Sequence, residues 1–179
     1  MEAARRDPRA FEPLYRKYVS QVYSFAVYEM RDHHRAEDVT EQVFMRALAA
    51  LPRFHERGEG EASTFRVWLF RIARNILSNQ RRRDRRRPEA RLDAVIELAA
   101  PDDPAASVAD RETVAQAWRA IDRLPDDRRR ALVLRFVDEM TTSEIAGVLG
   151  RSEGAVRVLI HRALRAVADE LRRGRGRTH

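Results

Sequence analysis

The sequence predicts an all-α protein made of two small helical domains joined by a flexible linker. Three observations carry that expectation. Apolar residues recur at spacings of three and four, and no long β-branched run alternates with polar residues. Hydrophobic residues at 44% can fill cores, while charged residues at 35% fit small helical units with much exposed surface. The charge balance reverses at Pro88: residues 65–87 hold nine Arg and one Asp, whereas residues 88–110 hold six acids and one Arg. The second of these segments carries Pro88, Pro101 and Pro104 and reads as a linker between domains at 8–87 and 111–173.

The elements follow in order. Residues 8–30 place Phe11, Leu14, Tyr15, Tyr18, Val22, Phe25 and Ala26 at helical spacing. Residues 35–51 form a second helix, with Phe44, Ala47, Leu48 and Leu51 on one face and Pro52 as its stop. A polar stretch with two glycines follows, and Ser63 or Thr64 caps a third helix running from Phe65 into Arg81–Arg87. Within the linker, Leu92, Val95, Ile96 and Leu98 could form a short docking helix. Further helices are expected at about 111–124, 127–138, 142–149 and 153–172, with Leu132, Val133, Phe136 and Val137 as the apolar positions of the second. A basic tail at 174–179 is expected to remain outside the fold.

Net charge is +7, which favours a polyanionic partner, nucleic acid or an anionic membrane. Nearly all the cations are Arg, with Lys17 the one lysine. Arg suits phosphate and guanine edges, although codon bias in a GC-rich genome would produce the same excess. The absence of cysteine excludes disulfides, thiol catalysis and cysteine-ligated zinc, and fits a reducing cytoplasm. The first residues lack the apolar core of a signal peptide, and no apolar run reaches membrane-spanning length, so no membrane insertion is expected. His34 and Glu37 lie one helical turn apart, but no third ligand is spaced to complete a metal site. With no phosphate-binding glycine loop, nucleophile elbow or carboxylate dyad, neither a cofactor nor enzymatic chemistry is expected.

The most specific local pattern is TSEIAGVLGRSEGAVRVLIHRAL. Ile145 and Leu149 share a face, Ala146 leaves room for a crossing helix, and Gly150 can take the positive φ of a tight turn. Ser152 caps the next helix, from which Val156 and Leu159 return to the core. This is a helix-turn-helix, which lays its second helix in the major groove. Helical phase exposes Glu153, Arg157, Val158, His161, Arg162 and Arg165 beside Ser152, with Arg157 and Arg162 the best candidates for base-edge or phosphate contacts.

Two further stretches, taken with this one, resemble the extracytoplasmic-function group of bacterial RNA polymerase sigma factors over nearly the whole chain. Asp38-Val39-Thr40-Glu41-Gln42-Val43-Phe44 is similar to that family's clamp-binding helix. The resemblance places Asp38, Glu41, Gln42, Met45 and Arg46 against core RNA polymerase, and the outward phase of Asp38, Gln42, Met45 and Arg46 agrees with it. STFRVWLFRIARNILSNQRRRDRRR looks like the promoter-melting helix. Phe65, Leu69, Ile72 and Ile76 share its expected buried face, with Arg66, Phe70, Arg74 and Arg81 mainly opposite and Arg71, Asn75 and Asn79 at the boundary. Cations beside an aromatic ring and amides suit single-stranded DNA, so Arg66, Phe70, Arg71, Arg74, Asn75, Asn79 and Arg82 are expected to hold the melted promoter. Trp68 reads as core rather than as a stacking platform, and the Arg81–Arg87 run is either a phosphate track or a solvated helix end.

The resemblance implies a first domain that binds the polymerase clamp and opens the promoter, and a second that reads double-stranded DNA at the upstream element. It also implies base capture by the loop at about 54–64 and an anti-sigma partner covering both domains. Val158 and Leu159 stand where the commonest recognition helix carries a hydroxyl and an Arg, so an unusual upstream preference is expected. The competing readings are a stand-alone dimeric regulator on a DNA palindrome and a protein that binds polymerase without selecting promoters.

Overall fold

The computed structural model of the chain describes residues 11–55, 64–86 and 108–175. Among them the secondary structure is entirely helical. Helix α1 spans Glu12–Met30, α2 His33–Ala50, α3 Phe65–Arg86, α4 Val108–Asp122, α5 Asp126–Phe136, α6 Thr142–Leu149 and α7 Glu153–Arg175. The docking helix expected at 92–98 lies outside the described residues, as does most of the loop at 54–64. Helix α4 begins three residues inside the segment expected as linker, and α7 runs through Gly174 into the expected tail. There Gly174 lies close to Gln116 of α4.

Local chemistry sets the boundaries. Asp32 caps α2, its carboxylate accepting the Arg35 N–H at 3.1 Å. Arg31 ends α1 at φ 56°, the left-handed conformation that closes a helix. Thr141 and Glu144 form a reciprocal capping box at the start of α6, and Gly150 ends it at φ 66°.

The core is continuous across both halves of the chain. Val22, Phe25, Val39, Val43, Leu69, Phe70 and Leu77 from α1 to α3 join Ala131, Leu134, Met140, Ile145 and Val148 in one buried cluster. Helix α3 therefore buries two sides, one on α1 and α2 and another toward α6. This corrects the expected placement of Phe70. Its side chain is fully buried, tilted on Phe25 at 5.5 Å between centroids, because the ring points between α1 and α3 rather than outward. Phe136 departs in the opposite direction and is 61% exposed at the end of α5. Trp68 is half-buried against Phe54 and Phe65, as expected of a core-edge ring.

Candidate nucleic-acid and polymerase interfaces

The recognition helix stands open. Ser152 Oγ accepts the Ala155 N–H at 3.2 Å and starts α7, while Val156 is fully buried on the other side. Glu153, Arg157, Val158, His161 and Arg162 are all exposed, together with Ser152. Arg157 pairs with Glu153 at 2.9 Å, an exposed contact within one helical turn that a DNA phosphate could readily displace. Each of the residues assigned from helical phase thus shares one solvent face.

Helix α2 presents Asp38, Glu41, Gln42, Met45 and Arg46 together on its outer surface, with Met45 63% exposed. Beside them a groove of about 560 Å³ runs between α1 and α2, floored by Phe11, Tyr15, Phe44 and Leu48 and rimmed by Glu37 and Glu41. An exposed thioether beside aromatic rings and carboxylates suits a protein surface and repels DNA phosphates.

The third group is distributed differently. Asn75, Asn79 and Arg82 are exposed along α3. The other cations are engaged by the second half of the chain. Arg71 Nε donates to the Gly147 carbonyl at 2.6 Å, and Arg74 Nη1 to the Val148 carbonyl at 2.7 Å. Arg66 donates to the Asp138 carbonyl and to Gln21, and its guanidinium lies 3.4 Å from Glu144. Burial, reinforced by Arg130, lowers the Arg74 pKa below its ordinary value. Arg81 is neither phosphate track nor solvated end in this structure. It donates to the Glu29 carbonyl at 2.9 Å and pairs with Asp126 at 2.7 Å. Arg82, Arg83 and Arg86 remain exposed.

Sequence reasoning missed the charged cluster behind these contacts. The Glu29 side chain is fully buried and faces Arg130 at 3.1 Å, Arg129 at 3.4 Å and Arg81 at 3.5 Å. Each of these residues reads as ordinary surface charge in its own helix, so only tertiary packing reveals the set. Asp138 was also missed. Burial pushes its carboxyl up to about 7 against the opposing pull of Arg66, and its Oδ2 has no hydrogen-bond partner. His34 and Glu37 form only an exposed surface pair at 3.7 Å.

Two family models match the chain. Sigma-70 region 2 matches residues 14–87, and the Sigma-70 region 4 model matches residues 115–167. The RNA polymerase sigma-H factor of Pseudomonas aeruginosa is 33% identical over 93% of this chain and 89% of its own length. The ECF RNA polymerase sigma factor SigC of Mycobacterium tuberculosis is 31% identical over 91% of this chain and 84% of its own. The chain belongs to the ECF sigma factors. It is a factor that joins RNA polymerase and directs transcription initiation, and the stand-alone regulator is not favoured. The ECF sigma factor BldN of Streptomyces coelicolor is also 33% identical, but the chain spans only 59% of its length. Among solved structures, CnrH in complex with the cytosolic domain of CnrY superposes with a TM-score of 0.68 at 25% identity, covering 95% of this chain and 92% of that one. The match therefore extends across both halves of this sigma factor.

Proposed function

We propose a division of labour in which α2 docks on core RNA polymerase, α3 holds melted promoter DNA, and α7 reads the duplex upstream. The observation that carries it is the single open face formed by Ser152, Glu153, Arg157, Val158, His161 and Arg162 on a capped recognition helix. Asp38, Glu41, Gln42, Met45 and Arg46 supply the polymerase contact, with the adjoining groove adding apolar area. Arg66, Arg71, Arg74, Asn75, Asn79 and Arg82 contact the single strand by phosphate attraction and base-edge hydrogen bonds. Phe70 is left out of that set, since its ring is sealed in the core. The chain works in the cytoplasm, on the nucleoid when in holoenzyme, and performs no bond chemistry of its own.

An anti-sigma partner is part of this reading. One structure similar to the chain is that of the sigma factor RpoE in complex with the anti-sigma factor NepR from Bartonella quintana, and another is CnrH in complex with the cytosolic domain of CnrY. An anti-sigma protein would bind here across the apolar groove and the second domain.

Fork-junction promoter DNA tests the proposal. Holoenzyme assembled from core polymerase and this chain should retain it, while core alone and the free chain should not. Equal retention of palindromic duplex by the free chain as a dimer would overturn the reading in favour of a stand-alone regulator.

A further inference from the structure

The open face of α7 has an apolar centre. Val156 and Ala163 are fully buried and set which side of the helix meets the core. Val158 lies about 160° around the helix from Val156 and is 48% exposed. By helical phase it sits between charged flanks, the Glu153–Arg157 ion pair on one side and exposed Arg162 on the other. One turn earlier, toward the start of the helix, stands exposed Gly154. The fold does not call for a glycine there. Its φ is not positive, and a Cβ added to it meets no protein atom within 4 Å. Alanine is also the better helix former. A missing side chain at such a place serves a surface that approaches the helix from outside. Val158 in turn has neither donor nor acceptor, so it cannot read the hydrogen-bond pattern of a base pair. The apolar feature that the major groove offers is the C5 methyl of thymine.

We propose that Gly154 and Val158 form an apolar strip that selects a thymine in the upstream element. The Val158 methyls pack on the thymine C5 methyl, and bare Gly154 lets the start of α7 come down closely on the neighbouring base pair. From Gly154 to Val158 the helix rises about 6 Å, close to two base steps. Guanine edges and phosphates are left to Arg157 and Arg162 at the flanks. The assignment rests on α7 reading the duplex, as proposed above, and adds which base the centre of its face takes.

Holoenzyme assembled from core polymerase and the full chain selects duplexes from a pool randomised across the upstream element. The selected duplex is then remade with deoxyuridine at each thymine in turn, which keeps the hydrogen-bonding edge and removes only the methyl. One position should lose affinity about fourfold, the factor that burying a single methyl gives. That loss should vanish in Val158→Ala and persist in Arg157→Ala, which weakens both duplexes alike. Gly154→Ala should leave Tm unchanged or raised, yet bind the selected duplex at least threefold more weakly. Both substituted positions are exposed, so neither change removes a core contact. Uracil serving as well as thymine at every position, a methyl effect that survives in Val158→Ala, or undiminished binding by Gly154→Ala overturns the proposal while α7 keeps its reading role. A selection with no upstream preference, or one that Arg157→Ala with Arg162→Ala leaves intact, removes the reading role and the proposal with it.

Discussion

Phe70→Ala separates the structure from the simplest reading of helical phase. A ring that stacked on melted DNA would be dispensable for folding. The structure instead places it fully buried against Phe25. Truncating such a ring costs about 3–5 kcal/mol, from lost burial and from the cavity left behind. For a chain of this size each kcal/mol lowers Tm by about 2–4 °C, so a fall of roughly 6–20 °C is expected. With a urea dependence of about 2 kcal/mol per molar, the midpoint should fall by about 2 M. Phe70→Leu, which keeps most of the apolar volume, should cost on the order of 1 kcal/mol and retain promoter opening by the holoenzyme. Urea titration of the three proteins, followed by permanganate footprinting of open promoter, checks both statements. If Phe70→Ala unfolds within about 0.5 kcal/mol of the unmodified chain while its holoenzyme fails to open DNA, the ring faces the strand and the argument from burial is wrong.

Other expectations follow from the same geometry. Arg157→Ala with Arg162→Ala should leave Tm unchanged but cost about 1–3 kcal/mol of upstream discrimination for each residue that grips a base, read as loss of selectivity in a promoter-binding competition. Met45→Glu should weaken holoenzyme assembly at least tenfold in a fluorescence titration with core polymerase, since it sets a charge on the exposed centre of the α2 face. Asp138 gives a pH dependence whose sign is fixed: with a carboxyl at about 7 in the fold against an ordinary 3.8, its contribution is whole below about 3.8 and is lost as pH rises through 7. Between about pH 6 and 8 stability should fall by roughly 1.4 kcal/mol, and Asp138→Asn should flatten that slope in urea melts.

Much of this molecule was legible in its sequence because its helices carry local signals. Gly150 and Ser152 bracket the turn of the reader by conformation and capping, and Val156 with Ile145 sets its phase. The outward face of α2 followed from Phe44 and Ala47 pointing inward. What helical phase could not supply was the second burial of α3. A helix with one apolar stripe is expected to have one partner, yet α3 also reaches α6, where Arg71 and Arg74 grip the last carbonyls. Arg reaches distant carbonyls on a long stem, so no periodicity announces such a contact. Glu29, Arg129 and Arg130 were invisible for the same reason, since charged residues bury only when partners far along the chain converge on them.

Whether the chain directs initiation is tested most directly by in-vitro transcription with bacterial core polymerase over a library of genomic fragments, with and without this chain. Sigma activity predicts discrete new start sites that share an upstream and a downstream element, with Arg157→Ala and Arg162→Ala relaxing the upstream one alone. A transcript profile unchanged by adding the chain, or start sites indifferent to the recognition helix, would contradict it.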